Sequence, residues 1–233
     1  MDEPLQEEGQ PGRQLWLELP PISTDAPRRL IVFLHPAGSS PELLAPVAIA
    51  WQLKFPGATA ILLEGLECSA VDPSRRDWFD PRTDDRARDA DLATVEVAAR
   101  IEALQRQLGL DGRDTFLVGF SQGAMIALEL SRLRPALASV VVAYAARLSR
   151  PVRQGDQFSA TIHLIHGEFD SIVPLPHAQQ AFRGMKAAGA DVTLDVAEGL
   201  AHGIDQEMVN LGTWRVMRTL FRGRTRRRQP TLH

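Results

Sequence analysis

Residues Thr115 to Leu130 constrain this chain more than any other stretch. An apolar run, Thr115-Phe116-Leu117-Val118, leads into Gly119-Phe120-Ser121-Gln122-Gly123, and a helical pattern, Ala124-Met125-Ile126-Ala127-Leu128-Glu129-Leu130, follows at once. That order reads as strand, sharp turn, helix. A serine at the apex of such a turn is held in a strained backbone conformation, and its hydroxyl projects above the sheet edge. The glycines on either side leave room where strand and helix crowd together. The amide of Gln122 then lies at a helix N-terminus, where it can stabilise a developing oxyanion.

The rest of the chain repeats this alternation. Gln14 to Leu19 alternates in strand fashion. Leu30 to Leu34 and Ala58 to Leu63 are short apolar runs, typical of parallel strands buried on both faces. Ser139 to Tyr144, Thr161 to Ile165 and Val192 to Val196 supply further strands. Helical spacing covers Pro41 to Phe55, Asp89 to Leu108, Leu175 to Ala188 and Ile204 to Phe221, with Ser40 as the N-cap of the first. The pattern predicts an α/β fold: a mainly parallel central sheet with helices on both faces and right-handed crossovers. The 233 residues are 44% hydrophobic and 24% charged, which suits one globular domain. That domain is expected to span residues 14–221. Residues 1–13 read as a disordered acidic tail and 222–233 as a basic one. The polar segment from Gly65 to about Arg88 is long for a loop in a compact domain, which points to function.

The same numbers exclude several classes. A net charge of −3 exerts no general pull toward nucleic acid or membrane. The Arg222 to Arg228 run lacks the aromatic residues that stack on bases and reads as a solvated end. No apolar stretch approaches the ~20 residues of a membrane span. No signal-peptide core is visible at the start, so the expected location is cytoplasmic. The one cysteine, Cys68, excludes an internal disulfide framework, and no glycine turn presents it for catalysis.

A serine hydroxyl is a poor nucleophile until a neighbouring base activates it, and the base needs an orienting partner. Where a serine sits on such a turn, the partners follow as an acid and then a histidine. His202 lies in Glu198-Gly199-Leu200-Ala201-His202-Gly203, between the last strand and the last helix. That is the C-terminal edge of a parallel sheet, where sites of open α/β folds lie. His163 falls inside a strand, His177 on a helix surface and His233 at the terminus. His163 and His166, three apart in an extended strand, point to opposite faces and cannot chelate one metal together. The acid is expected to be Asp170, which leaves a strand through Gly167; Glu168 is the rival. Asp195 is mid-strand, and Asp205 is explained as a helix cap. A second oxyanion donor is expected from Leu34-His35-Pro36-Ala37-Gly38-Ser39. Pro36 has no N–H, so Ala37 is the preferred donor and Gly38 the alternative. His35 reads as a buttress of this loop.

Gly119-Phe120-Ser121-Gln122-Gly123, the Trp78-Phe79-Asp80 triplet, His166-Gly167 with Asp170, and Gly199 with His202 together resemble the phospholipase/carboxylesterase family. The resemblance runs from about residue 29 to 220. It implies an α/β-hydrolase fold without a large lid domain and a Ser121, Asp170, His202 triad. It also implies an oxyanion hole from the amides of Gln122 and Ala37, and Trp78 and Phe79 bordering the substrate site. Packing of the long loop explains Trp78 and Phe79 equally well. No organic cofactor or metal is expected. The expected partner is a small ester or thioester, with no nucleic acid and no membrane insertion; a homodimer is compatible. The implied reaction is serine hydrolysis of carboxylic esters or acyl thioesters, with peptidase or lipase activity close by. The alternative is a catalytically weak or inactive member that binds a ligand or partner. One position departs from the pattern: Pro36 stands where relatives usually have glycine. Either the loop still presents Ala37, the preferred reading, or it is displaced and Gln122 is left as the main donor.

Overall fold

The computed structural model describes residues 16–26 and 28–227, with the backbone alone for 222–227. The expected N-terminal tail lies outside the described residues, as do the residues beyond Arg227. The strands are β1 (Trp16–Leu19), β2 (Arg29–Leu34), β3 (Ala58–Leu63), β4 (Glu67–Cys68), β5 (Arg76–Asp77), β6 (Thr115–Phe120), β7 (Val140–Tyr144), β8 (Thr161–Gly167) and β9 (Val192–Ala197). The helices are α1 (Ala45–Gln52), α2 (Arg86–Leu108), α3 (Gln122–Leu133), α4 (Leu175–Ala187) and α5 (Gln206–Arg227). Among the described residues, seven strands form one sheet in the order β1-β3-β2-β6-β7-β8-β9. Only the edge strand β1 runs antiparallel.

The apolar runs are buried on both sides because successive side chains of a strand point to opposite faces. Leu30, Val32 and Leu34 enter the core shared with Val97 and Ile101 of α2 and Met125 and Leu128 of α3. Ile31 and Phe33 enter the core shared with Trp51 of α1 and Met208 and Val216 of α5. Helices therefore cover both faces of the sheet.

The topology fixes where a site can form. The chain goes from β2 to β3, then returns along α2 to β6 on the other side of β2. Loops leaving β2 and β6 diverge, and a crevice opens between them at the carboxyl ends. Pairing of Leu34 with Gly119 brings both strand ends level.

Some elements differ from expectation. The first helix is split into a 3₁₀ turn, Pro41–Leu44, and α1. Pro46 is the cause: a proline ring clashes with the carbonyl four residues back and bars a continuous α-helix from Pro41. Ser40 makes no side-chain cap there. Helix α2 starts at Arg86, ahead of the expected Asp89, because Asp85 caps it by accepting from the Arg88 amide at 3.1 Å. The short β4–β5 pair inside the long polar segment was not legible, since two-residue strands carry no periodicity. Helix α5 runs past the expected end at Phe221 through Arg227; arginine is a good helix former and needs no apolar face to continue.

Candidate active site

Ser121 stands where β6 passes into α3, with φ 55° and ψ −113°. A positive φ in a residue with a Cβ is strained and persists only where its surroundings enforce it. The enforcement is local. The Ser121 amide donates to the Tyr144 carbonyl on β7 at 3.0 Å, and its carbonyl accepts from the Met125 amide at 3.0 Å. Helix α3 also starts directly against the end of β2. A Cβ on Gly123 would lie 2.1 Å from the Leu34 carbonyl oxygen, and one on Gly119 would lie 2.5 Å from the Gly123 oxygen.

His202, in the loop after β9, stacks at 29° on the Phe120 ring with centroids 5.0 Å apart. The Ser121 hydroxyl donates to His202 Nε2 at 3.1 Å, and His202 Nδ1–H donates to Asp170 Oδ2 at 2.7 Å. Asp170 follows β8, and its side chain is fully buried. Its Oδ1 accepts from the amides of Ile172 at 2.9 Å and Val173 at 2.8 Å. The rival Glu168 instead accepts from the Gly199 amide at 3.1 Å. Asp195 pairs with Arg215, and Asp205 caps α5 through the Met208 amide at 2.8 Å.

Two partners of this line had no role assigned to them from the sequence. Phe120 appeared only as a letter inside the turn. His166 is buried, its Nε2–H donates to the Val173 carbonyl at 2.6 Å, and the same nitrogen lies 3.4 Å from Asp170 Oδ2. Burial pushes the His166 imidazole below the usual histidine range. The sequence signal that placed it near the acid was its position in the motif ending at Asp170.

The loop after β2 takes a defined path despite Pro36. Its left-handed residue is Gly38, with φ 62°, so a glycine remains where positive φ is required. The Gly38 amide donates to Asp77 Oδ1 and cannot also serve an oxyanion. Ser39 exchanges backbone hydrogen bonds with Arg76 at 3.1 and 2.7 Å, which fastens the loop to β5. Among the described residues the Ala37 amide has no hydrogen-bond partner. Ala37 lines the same cleft as Ser121 and Gln122.

Trp78 and Phe79 part company. Trp78 is only 1% exposed and does not line the cleft, which corrects the expectation that it borders the substrate. Its indole N–H donates to the His35 carbonyl at 2.7 Å, and its amide donates to Gln122 Oε1 at 2.9 Å. The Gln122 side chain completes the clamp by donating to the Phe79 carbonyl at 2.8 Å. Phe79 lines the cleft. An indole this large, with a donor that needs a partner, is better buried under the loop than exposed beside it.

The other candidates are structural. His35 Nδ1–H donates to the Pro36 carbonyl at 2.7 Å and Nε2 accepts from the Gly65 amide at 3.0 Å. Burial lowers the pKa of His35, keeping it neutral. His163 bridges Thr193 at 2.9 Å and Thr219 at 3.1 Å. His177 is exposed on α4, and Cys68 is exposed beside Arg76. His233 lies outside the described residues. Among the described residues no three His, Cys, Asp or Glu side chains cluster to hold a metal ion. Among them, too, no helix is long and apolar enough to cross a membrane.

The cleft over Ser121 has a volume of about 160 Å³, with Phe79, Met125 and Val173 on its apolar side. A buried carboxylate, an imidazole and a strained serine in series, with the residues Ala37 and Gln122 lining the same cleft, are the parts needed for acyl transfer.

Known proteins share both the sequence and the fold. Residues 22–212 match the family described as phospholipase/carboxylesterase. The esterase YpfH of Escherichia coli K12 is 34% identical over 187 residues, covering 78% of this chain and 80% of that protein. The crystal structure of an esterase designated PE8 superposes with a TM-score of 0.80 at 28% identity, covering 87% of this chain and 97% of that one. SOBER1 of Arabidopsis thaliana shares the fold, with a TM-score of 0.73 at 20% identity over 83% of this chain and all of its own. The chain therefore belongs to the phospholipase/carboxylesterase family, has the α/β-hydrolase fold and is a hydrolase of the carboxylesterase type.

Proposed function

We propose that the protein cleaves carboxylic esters or acyl thioesters through an acyl-serine intermediate, with Ser121 as nucleophile, His202 as base and Asp170 as its orienting acid. The observation that carries this is the unbroken hydrogen-bonded line from Ser121 through His202 to Asp170. Ser121 Oγ attacks the substrate carbonyl carbon while its proton passes to His202 Nε2. Asp170 Oδ2 holds the imidazole by Nδ1–H, which fixes the tautomer and stabilises the imidazolium. Its other oxygen, tied to two amides, keeps the carboxylate from turning. The substrate oxygen becomes negative between the amides of Gln122 and Ala37. Collapse breaks the bond to the leaving oxygen or sulfur, which takes the proton from Nε2. Water then attacks the acyl carbon and gives a proton to His202. The second collapse releases the carboxylic acid and returns the proton to Ser121 Oγ.

The placement of Gly38 at the left-handed position also supports an active rather than a merely binding protein, because the proline substitution leaves the Ala37 amide unspent. A fluorophosphonate probe tests the reading. It should label Ser121 one-to-one, and Ser121→Ala should lose both labelling and ester turnover. Labelling at another residue, with Ser121→Ala still turning over, would defeat it.

A further inference from the structure

The cleft over Ser121 is not apolar throughout. Arg86 and Arg147 line it together with Ser121, and both are half-buried. A half-buried guanidinium normally needs a carboxylate, and this chain follows that rule elsewhere. Arg29 pairs with Asp114, Arg76 with Glu64, Arg100 with Glu96, Arg132 with Glu129, Arg150 with Asp156 and Arg215 with Asp195. Among the described half-buried arginines, only Arg86 and Arg147 have no ion pair.

Their surroundings make the arrangement costly for the free protein. Arg86 is the first residue of α2, where the helix dipole disfavours a cation. Burial, and after it the neighbouring Arg86 charge, lower the pKa of Arg147. Arginine nevertheless stays protonated, so two positive charges face one small cleft. The turn that presents Arg147 is itself strained: Ala145, at the end of β7, has φ 51°. Like charges, an unfavourable helix position and a strained turn converge on the serine, and among the described residues neither arginine has an ion pair to offset them. Conflict of this kind is expected where the missing partner is a ligand.

We propose that Arg86 and Arg147 form an anion cradle, so that the substrate is an ester or thioester which itself carries an anionic group such as a carboxylate near the scissile bond. This rests on the hydrolase reading above. A guanidinium pair matches the flat, two-oxygen geometry of a carboxylate. The anion holds one end of the substrate while the amides of Gln122 and Ala37 hold the reacting carbonyl. Neutral esters of the same length would reach Ser121 without that anchor.

Two matched substrate pairs test this and locate the charge. In the first, 4-nitrophenyl hydrogen glutarate is compared with 4-nitrophenyl pentanoate, so the charge is on the acyl part. In the second, 4-carboxyphenyl acetate is compared with 4-carbamoylphenyl acetate, so the charge is on the leaving group. At low salt kcat/KM should favour the charged member of at least one pair by on the order of 10-fold or more. That preference should shrink as salt is added. It should collapse toward unity in the Arg86→Gln, Arg147→Gln double variant, and Arg147→Glu should invert it. Tm of the double variant should hold or rise, because two like charges are removed. A preference at or below unity in both pairs, or one that survives the double variant, overturns the proposal while leaving the hydrolase reading intact. If no ester turns over and the fluorophosphonate does not label Ser121, the hydrolase reading fails. Calorimetric titration with glutarate then decides the cradle alone: binding lost in the double variant supports it, and no binding to the native chain overturns it.

Discussion

Asp170 and Glu168 lie two residues apart in one loop, yet only one of them reaches the imidazole. Asp170 is shorter, buried, and held by two amides of its own loop, whereas Glu168 is exposed and fastened to Gly199. The consequence is measurable with a soluble chromogenic ester. Asp170→Asn should lower kcat by roughly 10⁴, because the amide cannot hold the productive tautomer. Glu168→Gln should stay within about threefold of the native rate, since it removes only an exposed contact. The reverse ranking would assign the acid role to Glu168. Loss of Ser121 or of His202 should cost about as much as loss of both, since they act as one unit.

At the scale of elements, the side of the site proposed to bind the oxyanion is held by a segment that reads as a loop in the sequence. Strand β5 and the residues after it hold the turn following β2 through Asp77 and Arg76, and α3 clamps them through Gln122. Asp77→Ala would release the Gly38 amide and let the turn drift. It should lower kcat by on the order of 10-fold to 10²-fold, the scale of a weakened oxyanion donor, with a smaller change in KM. Pro36→Gly should change kcat by less than tenfold, about 1.4 kcal/mol, because Gly38 already carries the left-handed turn. A rise of 10² or more in that variant would show that the native turn withholds the Ala37 amide. Gly123→Ala should fail differently. Its Cβ would strike the Leu34 carbonyl at 2.1 Å, so Tm falls and labelling of Ser121 is lost together with it.

At the scale of the whole molecule, two buried histidines tie stability to pH. His35 and His166 both have folded pKa values depressed by burial below the ordinary 6.5. In the window between 6.5 and those lower values the unfolded chain binds more protons, so stability rises with pH there. Stability is fully present above about 6.5 and is lost as pH falls toward the folded values. For His35 the cause is direct: a protonated Nε2 cannot accept the Gly65 amide. The denaturant midpoint should therefore drop between pH 7 and pH 5, and less steeply in His35→Gln. A flat midpoint across that range would show that neither histidine is held neutral.

The sequence by itself determined the sheet and which serine, histidine and aspartate are hydrogen-bonded in line. Runs such as Leu30 to Leu34 favour a strand buried on two faces, because every side chain is apolar and the run is short for a helix. The Gly119 to Gly123 turn, with Asp170 and His202 later at strand ends, follows from local chain geometry, since each residue sits at the carboxyl edge of its own strand. What only the tertiary structure decided are contacts between segments distant in sequence. Asp77 reaches Gly38 across 39 residues, and Trp78 reaches His35 across 43. His166 lies against Asp170 only because the loop folds back on β8. Arg86 and Arg147 carry no local signal, for an arginine opening a helix and an arginine after a strand are each ordinary. Their meaning depends on a shared cleft and on the carboxylates that do not accompany them, and both are set by packing rather than by periodicity.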